Sequence, residues 1–200
     1  MASANEYHFI TRWRAEAAAE EVYEIIRDPL DLPRWWPAVY LSVVEISPGD
    51  EHGIGRRVRL HTKGWLPYTL DWESCSIEAV RPQRLALRAS GDFEGRGVWD
   101  FQQDGRFVDI AFDWQLTADK PLLRHLSFLL KPVFSANHRW AMAQGEKSLK
   151  LELQRRRAKT SEGRELVPSP PGPNRTSAWW LALAAAAVIG AGVWIARSLK

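Results

Sequence analysis

Three aspartates, each beside a tryptophan, are the first residues in this sequence that could do chemistry. Asp71, Asp100 and Asp113 lie in stretches where apolar and polar residues alternate. Two such carboxylates in one cavity would suit general acid–base catalysis. Successive side chains of a β-strand point to opposite faces, however, so each aspartate must face away from its tryptophan. Because burying unpaired carboxylates costs several kcal/mol each, we expect the tryptophans inside and the aspartates in solvent, which excludes this carboxylate pair.

The histidines are the remaining candidates for acid–base or metal chemistry. None of the five has histidine or cysteine partners at the spacing of a metal site, and a single cysteine, Cys75, excludes an intramolecular disulfide. Only His138 lies on the inward face of a predicted helix, which makes it a candidate general acid or base. A hydrogen-bonded structural histidine is the alternative. We predict no metal, no cofactor and no catalytic residue other than His138.

An amphipathic helix over residues 132–157 carries His138 and is predicted to close over the aromatic strand faces. Its inward side includes polar residues and also Gly145, although glycine in a helix costs about 1 kcal/mol relative to alanine. A face of this composition favours a helix that covers a ligand cavity. The alternative is an ordinary packed helix, in which the polar residues only mark the edges of the buried stripe. The candidate ligand-binding residues are Trp72, Trp99, Phe101, Phe112, Trp114, Asn137, His138, Trp140, Ala141, Gln144 and Gly145.

The elements before that helix are predicted from periodicity. A first strand and two helices precede six further stretches with a period of two. Turn-forming residues separate these stretches, and the Asp104-Gly105 pair is a strong hairpin signal. Short connections imply antiparallel pairing. The strands are predicted over residues 7–14, 39–47, 56–62, 68–80, 84–90, 96–102 and 107–116, and the two early helices over 15–27 and 30–35.

This order of elements resembles the START-like superfamily, also described as SRPBCC or as polyketide cyclase/dehydrase and lipid-transport proteins. The resemblance covers residues 6–157 and is carried by 18–23 (AAEEVY), 28–29 (DP), 32–39 (LPRWWPAV), 81–85 (RPQRL), 91–95 (GDFEG) and 97–101 (GVWDF). It implies an α+β helix-grip fold, in which an antiparallel, curved sheet of about seven strands wraps around a long C-terminal helix. It also implies an apolar cavity between them. Members range from lipid carriers to cyclases, so the fold does not determine the activity.

The distribution of charge argues against a nucleic-acid partner. The net charge is +3, but residues 1–150 hold 19 Lys and Arg against 21 Asp and Glu, whereas residues 151–200 hold 8 against 3. A domain that binds nucleic acid is basic on its folded surface, and here the basic excess lies in the tail. We therefore predict no nucleic-acid partner.

The tail predicts a tethered membrane anchor. After a ligand-binding domain over residues 1–158, a proline-rich linker over 159–177 is expected to be extended. Residues 178–196, from Ala178 to Ala196, are uncharged, would form a helix about 28 Å long, and have tryptophans near both ends. These features predict a single transmembrane helix. Because the N-terminus lacks the features of a signal peptide, we expect the domain in the cytoplasm.

Three functions remain open from the sequence. The favoured one is the binding of a hydrophobic small molecule or lipid, without chemical change, by a domain that the anchor holds at a membrane. The second is a polyketide cyclase or aromatase in which His138 and neighbouring polar groups orient the substrate. The third is a protein-interaction module that uses the leucine-rich residues 122–130 as a docking surface.

Overall fold

The computed structural model describes residues 6–117 and 121–174, and only the backbone of residues 121–131. A seven-stranded antiparallel sheet and one long helix make it an α+β fold. The strands are β1 Glu6–Ala15, β2 Tyr40–Ser47, β3 Arg57–Lys63, β4 Thr69–Val80, β5 Arg84–Gly91, β6 Glu94–Asp104 and β7 Phe107–Thr117. The helices are α1 Ala19–Ile26, α2 Leu32–Trp35, α3 Pro121–Arg157 and α4 Ser161–Glu165, with a 3-10 turn, Pro29–Asp31, before α2.

The strands pair in the order β1-β7-β6-β5-β4-β3-β2, so β2 to β7 form a continuous meander. β1 returns to pair with β7, where Tyr7 lies opposite Leu116 and Ala15 opposite Val108. All seven predicted strands are confirmed. The Asp104-Gly105 hairpin is also present, and Gly105 adopts the left-handed conformation at a φ of 56°. The sheet and α3 together fit the predicted helix-grip fold.

The first helix begins later than its alanine-rich sequence predicts. Ala15 still belongs to β1, and α1 starts only at Ala19. The carboxylate of Glu21 accepts a hydrogen bond from the backbone N–H of Ala18 at 2.9 Å and so stabilises the first turn. Val22 and Ile25, one turn apart, are fully buried. α1 therefore packs one apolar face against the core.

The short second helix brings two adjacent tryptophans into the core. Asp28 accepts a hydrogen bond from the backbone N–H of Leu30 at 3.2 Å and caps the 3-10 turn. Trp35 and Trp36 at the end of α2 are 1% and 3% exposed. The Trp36 ring lies 5.6 Å from that of Trp13 in β1, measured between centroids. This segment therefore fills the interior as well as connecting α1 to the sheet.

The long helix starts earlier than predicted. α3 includes the leucine-rich segment and continues through Pro132, so that it contains 37 residues. Its inner face buries Met142, Leu149 and Leu153, as the periodicity predicts. The same face also buries Glu152, which is 1% exposed.

The segment after α3 departs from the extended course expected of the linker. It first forms the short helix α4, where Thr160 caps the backbone N–H of Gly163 at 3.0 Å. It then packs back on the domain, and the guanidinium of Arg155 donates a hydrogen bond to the carbonyl of Pro168 at 3.0 Å. Further along, Lys63 Nζ donates to the carbonyl of Asn174 at 3.2 Å. Residues 158–174 are called the strap below.

Two predicted features fall on parts of the chain that the structure does not describe. Residues 178–196, predicted to span the membrane, lie outside the described residues, as do the side chains of residues 122–130. Over residues 6–117 and 121–174, no helix has the length and apolar character needed to cross a bilayer. The transmembrane helix and the leucine-rich docking surface therefore stay predictions.

Candidate functional site

The three aspartates lie where the strand parity predicts. Each contacts a basic side chain on a neighbouring strand: Asp71 with His61 at 2.7 Å, Asp100 with Arg84 at 2.6 Å, and Asp113 with His8 at 3.0 Å. The neighbouring tryptophans are buried: Trp72, Trp99 and Trp114 are 7%, 8% and 7% exposed. The aspartates therefore stabilise the outer face of the sheet, and they do not form an acid–base pair inside it.

The inward aromatic residues pack against one another. The rings of Trp99 and Phe112 stack with centroids 4.1 Å apart, and those of Phe112 and Trp114 lie 5.4 Å apart. Trp72 continues the cluster at 6.0 Å from Trp114. Gly97 lies beneath these rings, since a Cβ there would be 2.7 Å from the Trp114 ring. Ring contacts of this kind each contribute about 0.5–1.5 kcal/mol beyond burial, so the cluster is a tightly packed part of the core.

The space at Gly145 is filled by Trp36. A Cβ added to Gly145 would overlap the six-membered ring of this indole. Contacts with Trp13 and Tyr40, at centroid distances of 5.6 and 5.2 Å, hold the Trp36 ring in place. The missing side chain of Gly145 therefore accommodates a tryptophan from a distant part of the chain. This corrects the expectation that Gly145 leaves room for a ligand under the helix.

Asn137 joins α3 to the loop between β3 and β4. Its side-chain carbonyl accepts a hydrogen bond from the backbone N–H of Trp65 at 2.9 Å, and the N–H of Leu66 is 3.4 Å away. Gly64 lies so close to this amide that a Cβ there would overlap it. The loop is therefore held against the helix.

His138 lies between α3 and β1. Its ring stacks on Phe9 with centroids 4.3 Å apart, and its Nε2 is 3.3 Å from the hydroxyl of Thr11. Burial, together with the charge of Arg139, lowers the pKa of His138 from 6.5 to about 4. The imidazole is therefore neutral at pH 7. These contacts favour the structural histidine, which was the alternative that the sequence left open.

The other predicted ligand-binding residues lie in the same core or beside it. Phe101 contacts Tyr23 of α1 at a centroid distance of 5.9 Å. Trp140 is partly buried against the hydrophobic core, and Ala141 and Gln144 are partly exposed. Ligand contact by these residues stays a prediction.

A pocket of about 110 Å³ lies between α1 and the inner face of the sheet and is open to solvent on one side. Its apolar walls include Val58, Leu85, Leu87 and Trp99. Of the predicted ligand-binding residues, only Trp99 lines it. A second pocket, of about 190 Å³, lies on the outer face among paired charged side chains such as Arg84 and Asp100. The inner pocket is the better candidate site, because small-molecule sites are mostly apolar.

Two serines are the polar groups on the sheet wall of the inner pocket. Ser74 and Ser76 follow Trp72 at two-residue intervals along β4, so they share its inward face. Within the part of the chain that the structure describes, neither serine hydroxyl forms a hydrogen bond. Sequence reasoning missed both residues, although the parity that placed Trp72 inside would have found them.

Arginine side chains lie at the mouth of the pocket, and their charges are balanced. Arg56 contacts Asp28 at 3.1 Å and Glu45 at 2.8 Å. Arg27 is 3.4 Å from Glu24. The mouth therefore presents paired charges. Within residues 6–117 and 121–174, no group of three or more His, Cys, Asp or Glu is arranged to hold a metal ion.

A buried carboxylate that the sequence analysis also missed connects α2 to α3. Glu152 accepts hydrogen bonds from Arg34 at 2.7 and 2.9 Å and from Arg156 at 2.7 Å. Burial opposes ionisation of Glu152, but the hydrogen bonds from both arginines outweigh it and lower the pKa of the carboxyl group. The position of Glu152 between Leu149 and Leu153 in the apolar stripe was the available signal. This cluster holds α2, and with it Trp36, against the long helix.

Comparisons with solved structures show the same fold at low sequence identity. The Zhui aromatase/cyclase from Streptomyces sp. R1128 aligns with a TM-score of 0.62 and 16% identity, over 76% of this chain and 95% of that one. The protein TTHA0849 from Thermus thermophilus aligns with a TM-score of 0.59 and 16% identity, over 72% and 97%. A START superfamily protein from Mycobacterium smegmatis aligns with a TM-score of 0.50 and 11% identity, over 68% and 98%. These likenesses show the fold alone.

The sequence itself carries a family signature. No curated protein matches it. Residues 11–154 match the family model described as "Polyketide cyclase / dehydrase and lipid transport". That range contains the whole sheet apart from the first residues of β1, together with α1, α2 and most of α3. The protein therefore belongs to the polyketide cyclase/dehydrase and lipid-transport family of the START-like superfamily.

Proposed function

We propose that this protein binds a small, largely apolar molecule in the inner pocket and does not change it chemically. The observation that carries the proposal is the pocket itself, where Leu85, Leu87 and Trp99 form apolar walls and Ser74 and Ser76 add two hydroxyls. Apolar walls with a few convergent polar groups are the usual composition of a small-molecule site. The family also includes lipid-transport proteins in its description, which supports binding.

The volume of the pocket limits the size of the bound group. About 110 Å³ is somewhat less than the volume of an engineered cavity of about 150 Å³ that binds benzene. The pocket therefore suits a single ring or a short branched chain, and the open side allows a longer molecule to extend outward. A fused multi-ring molecule would not fit inside the pocket unless a wall residue such as Trp99 moved.

The polar groups indicate what the ligand carries. Hydroxyls such as those of Ser74 and Ser76 both donate and accept hydrogen bonds, so they suit a hydroxyl, carbonyl or amide group. Because Arg56 already contacts two carboxylates, the pocket does not require an anionic ligand. We therefore infer a neutral ligand with one polar group beside its apolar part.

We further propose that residues 178–196 anchor the domain to a membrane from the cytoplasmic side. The length, apolar character and terminal tryptophans of this segment support the anchor. A membrane concentrates apolar molecules, so an anchored domain meets them at a higher effective concentration.

The binding proposal is tested on the full-length protein in detergent. Native mass spectrometry first identifies molecules that co-purify. After these molecules have been removed, the protein is titrated with benzyl alcohol and with toluene. Tryptophan fluorescence and the thermal unfolding midpoint are measured at each concentration. We expect both probes to raise the midpoint, because ligands that bind only the folded state stabilise it.

Pocket variants make the test specific. Leu87→Trp fills the pocket and is expected to abolish the shift with both probes. Val44→Trp introduces the same side chain at a position that is 61% exposed on the edge strand β2, and should leave the shift unchanged. The double variant Ser74→Ala, Ser76→Ala should bind benzyl alcohol more weakly and should bind toluene as the wild type does. An equal shift in Leu87→Trp and the wild type would contradict the proposal.

The two alternative functions have less support. His138, on which the cyclase alternative depends, does not line the pocket and stacks on Phe9 instead. The likeness to an aromatase/cyclase concerns the fold. The docking surface over residues 122–130 consists of side chains outside the described part of the chain. Neither alternative therefore gains an observation comparable to the pocket.

A further inference from the structure

The strap runs from one end of the domain to the other. At the C-terminal end of α3, Arg157 donates a hydrogen bond to Glu21 of α1 at 2.7 Å. The strap begins just after Arg157, close to α1. It finishes at Asn174, whose carbonyl accepts a hydrogen bond from Lys63 at the far end of β3. The course of the strap therefore returns the chain to the end of the sheet that carries the β3–β4 loop.

Contacts along its course hold the strap to the domain. The guanidinium of Arg155 is 3.0 Å from the carbonyl of Pro168 and 3.5 Å from that of Val167. Val167, Pro170 and Pro171 are each partly buried. Proline also restricts the backbone in the unfolded chain, which lowers the entropy cost of holding the segment in one conformation. The strap therefore lies along the surface of the domain and contacts it at several points.

The strap finishes beside an apolar loop. Residues 64–68, with the sequence Gly-Trp-Leu-Pro-Tyr, connect β3 to β4 directly after Lys63. Tyr68 is 39% exposed, Pro67 is exposed and Leu66 is partly exposed. Asn137 holds the backbone of this loop against α3. Consecutive apolar and aromatic side chains are therefore presented at the surface in a fixed position.

The described part of the chain ends at Asn174, beside this loop. Only three residues separate Asn174 from Ala178, so the start of the apolar segment lies within about 14 Å of Asn174 even when the chain is fully extended. We propose that the loop over residues 64–68 contacts the lipid bilayer, and that the strap fixes this orientation of the domain. The inference rests on the proposed membrane anchor. Tryptophan and tyrosine favour the membrane–water interface, which suits Trp65 and Tyr68.

The test uses full-length protein in vesicles of phosphatidylcholine and phosphatidylglycerol. In a Cys75→Ser background, single cysteines are introduced by Leu66→Cys in the loop and by His52→Cys in the exposed β2–β3 loop at the other end of the sheet. Each is labelled with an environment-sensitive fluorophore, and quenching by spin-labelled lipid is measured. We expect the label at position 66 to lose most of its emission and the label at position 52 to keep it. Tyr68→Cys serves as a second loop position if Leu66→Cys does not fold.

Flotation with the vesicles separates this inference from the membrane anchor. If the protein floats and the loop label is not quenched, the anchor stands and the proposed orientation is wrong. If the protein does not float, the anchor itself is wrong and the inference falls with it. Equal quenching at positions 52 and 66 would also overturn the orientation.

Lengthening the connection tests the role of the strap. Insertion of about 15 Gly and Ser residues after Asn174 adds a flexible span of roughly 20 Å between the strap and the tail. We expect flotation to persist and quenching at position 66 to decrease, because the domain is then free to turn. Unchanged quenching would show that the strap does not set the orientation.

Discussion

The inner face of the sheet is filled beneath α3 and open beneath α1, although both regions are built from inward residues of the same strands. On β6 and β7 the inward positions carry Trp99, Phe112 and Trp114, whose rings pack together. On β4 they carry Ser74 and Ser76, and a pocket of about 110 Å³ remains. The comparison shows that side-chain volume at a few inward positions, rather than the fold, decides where this domain can hold a ligand.

An ion pair between α2 and α3 helps to keep the region beneath α3 filled. The Arg34–Glu152 contact, at 2.7 Å, holds α2 against α3, and Trp36 directly follows α2. The indole of Trp36 then occupies the place of a side chain at Gly145. On the other side, Tyr23 and Ile26 of α1 line the pocket together with Ser74, and a space of about 110 Å³ remains between them. The filled region is therefore expected to be sensitive to changes of volume, and the open region tolerant of them.

Removing the Trp36 indole should have the largest effect, because it would convert the filled region into an open one. Trp36→Ala is expected to lower the free energy of unfolding by about 3–5 kcal/mol, as for other buried aromatic residues. Among the described residues Trp36 Nε1 has no hydrogen-bond partner, so the loss is one of packing. Urea unfolding measures it, and added indole should restore part of the stability. Trp140→Ala, at a partly buried position, is the control and should cost less. If Trp36→Ala lowers the free energy of unfolding no more than this control does, Trp36 does not fill the space beneath α3.

The stacked imidazole of His138 should make the filled region sensitive to pH. Its folded-state pKa of about 4 lies below the ordinary 6.5, so the unfolded chain binds the proton at higher pH than the folded protein. Stability is then complete above pH 6.5 and decreases as the pH falls towards 4. Allowing for the partial exposure of the ring, we expect a loss of about 2 kcal/mol.

The prediction is checked by measuring unfolding curves of the wild type and of two histidine variants across this pH range. His138→Gln should remove this part of the pH dependence. His8→Gln, on the exposed outer face, should retain it. Identical pH profiles for the wild type and His138→Gln would show that the imidazole is not held in its neutral form.

Adding a methyl group at position 145 should show whether helix propensity or packing against Trp36 has the larger effect on stability. Gly145→Ala gains about 1 kcal/mol of helix propensity but overlaps the Trp36 ring, and overpacking of this kind costs about 1–3 kcal/mol. We expect a net loss of about 1 kcal/mol in urea unfolding. In the Trp36→Ala background the same substitution should stabilise the protein instead. An additive double-mutant cycle would show that the two residues are not in contact.

The open region should show the smallest effect. Ser74→Val adds volume beside empty space and is expected to change the free energy of unfolding by less than about 1 kcal/mol. Gly97→Ala is the matched change in the filled region, where the added Cβ would lie 2.7 Å from the Trp114 ring, and it should destabilise the protein more. Thermal unfolding of the two variants compares them directly. Equal losses would mean that the pocket is no more tolerant than the aromatic cluster.

The sequence predicted the local features of the domain well. Alternation located all seven strands, and the parity of Asp71 with Trp72 assigned the outer and inner faces of β4. Both follow from the pleat, which places neighbouring side chains on opposite sides. The family resemblance, carried by short motifs, supplied the helix-grip topology and is confirmed by the match over residues 11–154.

The candidate site was less predictable because its contacts join distant parts of the chain. Asn137 was expected to face a ligand, a prediction that remains untested, and its amide oxygen accepts a hydrogen bond from the backbone N–H of Trp65. The proline-rich segment was expected to be extended; it first forms α4, and its last described residue then accepts a hydrogen bond from Lys63. Composition describes what such segments favour in isolation, whereas a small number of tertiary contacts sets their actual course.

By itself, the sequence determined which residues point inward, since periodicity is a property of neighbouring positions. Only the tertiary structure decided whether the inward space is filled or open. Trp36 reaches Gly145 across more than one hundred residues of chain, whereas a pocket of about 110 Å³ remains beside Ser74. The physical reason is that a cavity is the volume left over when elements from the whole chain have packed, and no local pattern records that remainder.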